Sequence, residues 1–136
     1  ALYYCSSFKN CDWFVQPILE DDNRESSYHI FPLRIKDCTE SERDEVIDFL
    51  MQKGISVNVH FMPMPLLTYF KSLGYKMSDY PNSYLQYACE ISLPIYPQLS
   101  INELDYIVEN VIFGVDMVLD KQKTENLILT SNNNEY

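Results

Sequence analysis

The chain has 136 residues, which fits one domain and is long enough to bury a core without a disulfide or a metal. Twenty acidic against ten basic side chains give a formal net charge of −10, which excludes nucleic acid and anionic membrane surfaces as expected partners. No apolar run approaches the roughly 20 residues of a bilayer span, and no signal peptide is recognisable, so we expect a cytoplasmic protein.

The first part of the chain predicts the end of a helix, a short strand and a loop. Apolar residues in 1–11 have the spacing of the last turns of an amphipathic helix. Residues 12–19 are rich in strand formers, although Pro17 restricts them to an edge or a short strand. The charged run 20–27 is typical of a turn-forming loop.

Residues 27–36 alternate in a way that predicts a strand. The face of this strand that we expect to enter the core carries His29, Phe31, Leu33 and Ile35. A histidine on such a face predicts a half-buried structural residue. Pro32 indicates either an edge strand or a position whose N–H the ladder does not use.

Residues 38–54 predict an amphipathic helix with a recognisable start and end. Thr39 and Glu42 have the spacing of a capping box, and Gly54 ends the element. The stripe expected to face the core consists of Val46, Ile47, Leu50 and Met51.

Residues 55–61 predict a second strand, which Pro63 and Pro65 then stop. Its polar face carries Ser56, Asn58 and His60. A histidine at a strand end with polar neighbours is compatible with a surface residue and with a site residue, and the pattern alone leaves both open.

The remaining elements are two short helices, a strand and a long helix. Helices are predicted over 66–75 and 80–91, and a strand interrupted by a proline over 91–97. The strongest helix prediction covers 100–118 and begins with a second capping box. Residues 120–136 are polar and Asn-rich, and we expect a disordered tail there.

This order of elements predicts an α+β fold. We expect a two-layer α/β sandwich with three to four short, mostly antiparallel strands and helices packed on one face. The connections are too few for a doubly wound parallel sheet.

Signals for chemistry are sparse. The cysteines, expected as free thiols, form no CxxC pair and stand at positions 5, 11, 38 and 89. His29 and His60 lack a third ligand at motif spacing, so no metal site is expected. No Gly-rich phosphate loop is present, and no lysine has the apolar setting that Schiff-base chemistry needs.

Several stretches resemble the C-terminal part of sugar-nucleotide aminotransferases of the DegT/StrS type. They are "SSYHIFPLRI", "RDEVIDFLMQKGISVNVHFMPMPLLTYFKSLGY" and "SDYPNSYLQYACEISLPIYPQLSINELDYIVENV". The resemblance covers about residues 1–118, and its most specific pieces are Tyr28-His29, Val59-His60-Phe61 and "SLPIYPQLS".

The resemblance implies a piece of a longer pyridoxal-phosphate enzyme that moves an amino group from glutamate to a nucleotide-linked keto sugar. Residues 1–11 would end the helix from an N-terminal large domain, 12–119 would form the small domain, and 120–136 the tail. The Schiff-base lysine would lie in the large domain, so this chain alone would bind no pyridoxal phosphate and have no catalytic residue. The parent would be a homodimer, and the isolated chain would self-associate.

The resemblance also implies which residues line the substrate cleft: Tyr28, His29, His60 and Tyr69. None of them is assigned an acid–base role. The sequence departs from the family pattern in one loop, where relatives carry further histidines and a tyrosine, at Phe61, Pro65, Leu67 and Thr68. The sugar therefore stays open.

A hypothesis of a different class is a stand-alone regulatory module that binds a ligand or a protein without catalysis. The acidic charge and the lack of a basic helix-turn-helix pattern speak against DNA as the partner.

Overall fold

The computed structural model describes the backbone of residues 1–132 and the side chains of residues 1–121. The helices are α1 (Leu2–Phe8), α2 (Glu40–Gln52), α3 (Thr68–Ser72), α4 (Pro81–Ala88) and α5 (Ile101–Asn132). The strands are β1 (Phe14–Val15), β2 (Glu20–Asp21), β3 (Arg24–Glu25), β4 (Phe31–Ile35) and β5 (Glu90–Leu93). Two 3₁₀ turns, Met64–Leu66 and Met77–Asp79, flank α3.

Three strands form an antiparallel sheet in the order β1-β4-β5, so β4 is central. The alternation predicted for residues 27–36 is confirmed over β4, because Phe31, Leu33 and Ile35 are all fully buried. Pro32 and Arg34 therefore project from the opposite face, where they are partly exposed.

Pro32 is tolerated in this central strand because neither neighbouring strand needs a backbone N–H at position 32. Ser92 N donates to Asn58 O at 2.7 Å, and Asn58 N donates to Ser92 O at 3.3 Å. The backbone of Ser92 thus faces Asn58, and its pairing with Pro32 is of the non-hydrogen-bonded kind. The Pro32 nitrogen faces the other side, which β1 does not reach because it pairs only with Arg34 and Ile35. The edge-strand alternative is wrong.

Helices α1, α2 and α5 cover the apolar face of the sheet and close the core. Buried residues from these helices include Tyr4, Phe8, Val46, Leu50, Val111 and Val115. They pack against the buried side chains of β4 and β5. The predicted α+β fold, with short antiparallel strands and a helical layer on one face, is confirmed.

Both predicted capping boxes are present at helix starts. Thr39 N donates to Glu42 Oε2 at 2.7 Å, and Glu42 N donates back to Thr39 Oγ1 at 3.3 Å. Ser100 N and Glu103 N make the same reciprocal pair with Glu103 Oε2 and Ser100 Oγ. These bonds satisfy amide groups that a helix leaves free at its first turn.

The buried stripe of α2 differs from the prediction at one end. Val46 and Leu50 are buried and Ile47 is half-buried, but Met51 is 53% exposed. Arg43, at 1% exposed, extends the buried side of the helix toward its start instead.

The strand predicted over 55–61 is wrong, because only Asn58 forms a ladder bridge, with Ser92. Side-chain oxygens accept hydrogen bonds from the amide groups that a longer ladder would use. Val59 N donates to the Asn58 side chain at 2.8 Å, and His60 N donates to Glu90 Oε2 at 3.0 Å.

The charged loop predicted over 20–27 contains a small hairpin of β2 and β3. Asp21 accepts hydrogen bonds from Asn23 N at 3.0 Å and from Arg24 Nε at 2.7 Å across the turn. The helices predicted over 66–75 and 80–91 are present in shorter form as α3 and α4.

The tail prediction is wrong for residues 120–132, which continue α5 to Asn132. No glycine or proline stands between residues 115 and 132, and the run contains several good helix formers, so nothing local ends the helix. Residues 133–136 of the predicted tail lie outside the described residues.

Candidate functional site

A polar cluster lies on the face of the sheet opposite the helices. Ile91 and Leu93 of β5 enter the core, so Glu90 and Ser92, which alternate with them, face the other way. Because Asn58 pairs with Ser92, the segment before His60 runs beside β5. His60 therefore lies next to Glu90 and Ser92. We call these three residues the polar triad.

The polar triad is joined by direct hydrogen bonds. His60 Nδ1 lies 2.8 Å from Ser92 Oγ. Ser92 Oγ donates to Glu90 Oε1 at 2.5 Å, and the His60 backbone N–H donates to Glu90 Oε2 at 3.0 Å. Both carboxylate oxygens of Glu90 therefore accept a hydrogen bond, one from the Ser92 hydroxyl and one from the backbone N–H of His60.

Burial dominates the electrostatics of the polar triad. Glu90 is 5% exposed and Ser92 6%, whereas His60 is half-buried. Burial raises the pKa of the Glu90 carboxyl; the hydrogen bonds from Ser92 and His60, and the charges of His60 and Arg43, counteract only part of this rise. The cluster is a buried acid that fixes a half-exposed imidazole through a hydroxyl.

None of the other predicted site residues makes a hydrogen bond, ion pair or ring contact with His60 in the described part of the chain. Tyr28 is half-buried in a left-handed backbone conformation at φ 55°, and its N–H donates to Ser26 Oγ at 3.1 Å. Tyr69 is 68% exposed on α3, beside Phe70.

The half-buried position expected for His29 is wrong, because this residue is exposed. β4 begins only at Phe31, so the backbone around His29 is irregular and the alternation of the strand does not extend to it. His29 is accessible at the entrance to the strand.

Glu90 and Ser92 are site residues that the sequence patterns did not single out. The strand was expected to begin at residue 91, which left Glu90 at the end of a helix. The signal that could have found them is the alternation within "EISL", where two polar residues interleave with two apolar ones.

The loop that departs from the family pattern borders a small aromatic cavity. The Phe61 ring meets the His60 ring edge-on at 4.6 Å between centres and is 76% exposed. Pro65 lines a cavity of about 210 Å³ whose other walls are Met64, Phe70, Tyr75, Tyr80 and Ser83. The lining of this cavity is therefore apolar and aromatic, whereas the resemblance implies that relatives carry further histidines in this loop.

The described residues do not fit a covalent pyridoxal-phosphate site. Every lysine between residues 1 and 121 is exposed, and a lysine needs an apolar setting or a cationic neighbour to become a Schiff-base nucleophile near neutral pH. The glycines stand singly, two at helix ends and one inside α5, and none forms a phosphate loop. We therefore assign no cofactor chemistry to these residues.

The described part of the chain contains neither a cluster of metal ligands nor a helix suited to a bilayer. No group of three or more His, Cys, Asp or Glu side chains there could hold a metal ion. None of the helices described is both long and apolar enough to cross a membrane.

Comparison with known proteins supplies the family. Residues 1–112 match the DegT/DnrJ/EryC1/StrS aminotransferase family. The spore coat polysaccharide biosynthesis protein SpsC of Bacillus subtilis (strain 168) is 32% identical over 119 residues, covering 83% of this chain and 30% of SpsC. A protein of Geobacillus stearothermophilus named "Pleiotropic regulatory protein" is 32% identical over 93 residues, covering 68% of this chain and 24% of that protein.

A solved structure supports the same family. Spr1654 of Streptococcus pneumoniae, assigned as a sugar aminotransferase and solved in its PMP form, superposes with a TM-score of 0.83 at 36% identity. The match covers 89% of this chain and 30% of that chain. This chain thus spans less than a third of the length of these relatives. It belongs to the DegT/DnrJ/EryC1/StrS aminotransferase family.

Proposed function

We propose that this chain is the C-terminal small domain of a pyridoxal-phosphate aminotransferase that transfers an amino group from glutamate to a nucleotide-linked keto sugar. The observation that carries the proposal is the match to about 30% of Spr1654 at a TM-score of 0.83, with no buried lysine among the described residues. A domain of this kind encloses substrate while the cofactor is held elsewhere.

Within that enzyme, the chain contributes substrate contacts and no acid–base group. His60 is the strongest candidate, because Ser92 and Glu90 orient its ring while leaving it half-exposed. Tyr28, His29 and Tyr69 are the further cleft residues proposed from the resemblance. The exposed positions of His29 and Tyr69 leave both free to meet a ligand or another domain.

The domain organisation follows from the same proposal. Residues 1–11, which contain α1, end the helix that arrives from the large domain, and residues 12–119 form the small domain. The large domain holds pyridoxal phosphate through its own lysine, and the enzyme works in the cytoplasm. This chain alone is inactive.

A spectrum of the purified chain with added pyridoxal phosphate tests the assignment of the cofactor to the missing domain. We expect the absorbance of the free cofactor and, after borohydride treatment and peptide mapping, no more adduct than exposed lysines give in a control protein. A borohydride-fixed adduct on one specific lysine of this chain would contradict the assignment. Lysozyme with its exposed lysines serves as the control for non-specific adducts.

Self-association of the isolated chain follows from an exposed apolar patch, which we propose faces the large domain or a second subunit of the homodimer. The patch consists of Phe61, Met62, Met64, Leu67, Tyr69, Leu73, Tyr75, Tyr80, Tyr84 and Leu85, each at least 36% exposed. Exposed apolar side chains concentrated in one segment of the chain, residues 61–85, favour association in water. Light scattering should show mass rising with concentration, and a monomer at every concentration would count against the proposal.

The second candidate is a regulatory module without catalysis, which the name of the Geobacillus relative favours. The reading frame upstream of the Ala1 codon separates the two. An in-frame large domain with its own lysine supports the enzyme, whereas a start codon directly before Ala1 supports the module.

A further inference from the structure

The directions of the hydrogen bonds in the polar triad follow from counting donors. An ionised Glu90 can only accept, and the His60 backbone N–H can only donate. That N–H occupies Glu90 Oε2 at 3.0 Å, and the Ser92 hydroxyl occupies Oε1 at 2.5 Å. Ser92 has one hydroxyl hydrogen, so its oxygen is left to accept a hydrogen bond from the imidazole.

The same count determines which ring nitrogen of His60 carries the proton. Nδ1 lies 2.8 Å from Ser92 Oγ and must carry the hydrogen that this bond requires. A neutral imidazole has one N–H, so its Nε2 carries the lone pair. No hydrogen bond from the described residues reaches Nε2, and the side chain is only half-buried.

We infer that Glu90 and Ser92 are positioning residues that hold neutral His60 as its Nδ1–H tautomer, so that Nε2 accepts a hydrogen bond from a ligand. An acceptor at this point selects a hydroxyl or amide N–H, such as a sugar hydroxyl, over an ionised phosphate oxygen, which has no hydrogen to donate. The choice of a sugar hydroxyl rests on the proposed function; the tautomer does not.

Replacing Glu90 with the isosteric glutamine should reverse the direction of the hydrogen bonds that join residue 90, Ser92 and the His60 ring. The glutamine oxygen must face the His60 backbone N–H, which can only donate, so the glutamine NH₂ turns toward Ser92. Ser92 Oγ then accepts from that NH₂ and its hydroxyl hydrogen goes to His60 Nδ1. In Glu90→Gln the imidazole therefore carries its proton on Nε2.

Nitrogen-15 NMR of the histidine rings tests the inference on the 136-residue chain itself. Spectra are recorded at about pH 8.5, where the imidazole of a model peptide is neutral, and the two nitrogens of each neutral tautomer have distinct chemical shifts. We expect His60 to show a protonated Nδ1 and a lone-pair Nε2 in the wild-type chain, and the opposite pair of shifts in Glu90→Gln.

The chain offers matched controls. His29, exposed and outside the polar triad, reports in the same spectrum and should keep its shifts in every variant. Glu25→Gln makes the same chemical change at an exposed position of β3 and should leave His60 unchanged. If Glu90→Gln does not fold, Ser92→Ala replaces it, and the Nδ1–H preference of His60 should be lost.

Two results would overturn the inference. One is a wild-type His60 protonated on Nε2, and the other is an Nδ1–H tautomer that persists when Glu90 or Ser92 is changed. A residue with a merely structural role would move the free energy of unfolding without inverting the tautomer. Either outcome is independent of whether the parent protein transfers amino groups.

Discussion

The guanidinium carbon of Arg43 lies 4.8 Å from the centre of the Tyr87 ring, and Arg43 Nη1 donates to the Tyr87 carbonyl oxygen at 2.9 Å. The same nitrogen reaches the Glu90 carbonyl oxygen at 3.5 Å. Glu40 accepts hydrogen bonds from the Tyr84 and Tyr87 hydroxyls at 2.9 and 2.8 Å. Helix α2 thereby holds α4 and the start of β5, the strand that carries two members of the polar triad.

Arg43→Met should lower the free energy of unfolding by about 1–3 kcal/mol, because the substitution roughly preserves volume but leaves carbonyl oxygens of α4 and β5 without their donor. Urea denaturation followed by circular dichroism measures the change. Arg24→Met is the matched control, since Arg24 lies on the surface in a pair with Asp21, and we expect no measurable change there. An Arg43→Met chain as stable as wild type would contradict this account of α4.

Gly114 allows α5 to approach Phe49 of α2 closely. A Cβ atom at position 114 would lie 2.7 Å from Phe49 Cδ1, closer than side chains pack. Gly114→Ala should therefore destabilise the chain by about 1 kcal/mol, since overpacking outweighs the gain in helix propensity. With Phe49→Ala in the background the ring atoms are absent and the clash is removed, so the same alanine at position 114 should stabilise. Equal effects in both backgrounds, measured by urea denaturation, would show that the contact does not matter.

The stability of the chain should carry a pH dependence due to Glu90. Burial raises the pKa of Glu90 above its ordinary value of 4.5, so the folded chain holds this proton more tightly than the unfolded chain. The contribution of Glu90 is therefore most favourable below pH 4.5 and falls as the pH rises through the folded-state pKa.

Urea denaturation of wild type and Glu90→Gln across the acidic and neutral range isolates this contribution. The wild-type value minus the Glu90→Gln value should decrease as the pH rises and then level off. Glu25→Gln controls for the loss of one negative charge. A difference that rises with pH would mean that the carboxylate, not the acid, is the form the fold prefers.

Cys38 should react more slowly than the half-buried Cys11 in the folded chain. Burial raises its pKa to about 12, so at pH 8 only roughly one molecule in ten thousand carries the thiolate. Ellman's reagent should label all cysteines rapidly in urea but leave a slow phase in the folded chain. Cys38→Ala should reduce the amplitude of that phase, to which the buried Cys5 also contributes, and Cys11→Ala should not. Loss of a fast phase in Cys38→Ala would contradict the prediction.

Local signals in the sequence predict the helix starts and the central strand well. The capping boxes at Thr39 and Ser100 depend on side chains three residues apart, and the alternation of β4 depends on neighbours two apart. Such patterns are complete within one element, so they can be read without knowing the tertiary structure.

The errors arise where distant groups decide the outcome. Arg43 is buried because carbonyl oxygens 44 and 47 residues away accept its hydrogen bonds, which no helical periodicity reveals. The strand predicted over 55–61 fails because Glu90, thirty residues on, takes the His60 amide. His60 could be named as a candidate from its setting, but its partners belong to β5 and become visible only when the register of the sheet is known.

Amino transfer by the protein encoded in the complete reading frame tests the central claim most directly. Purified protein is incubated with pyridoxal phosphate, glutamate and a panel of nucleotide-linked keto sugars, and 2-oxoglutarate and aminated sugar are quantified. We expect equal amounts of both products with at least one sugar. For His60→Ala we expect a kcat/KM for the keto sugar lowered by about tenfold, with the reaction of glutamate unchanged. Absence of transfer to every sugar in the panel would contradict the account, as would a His60→Ala enzyme with wild-type kinetics for the sugar.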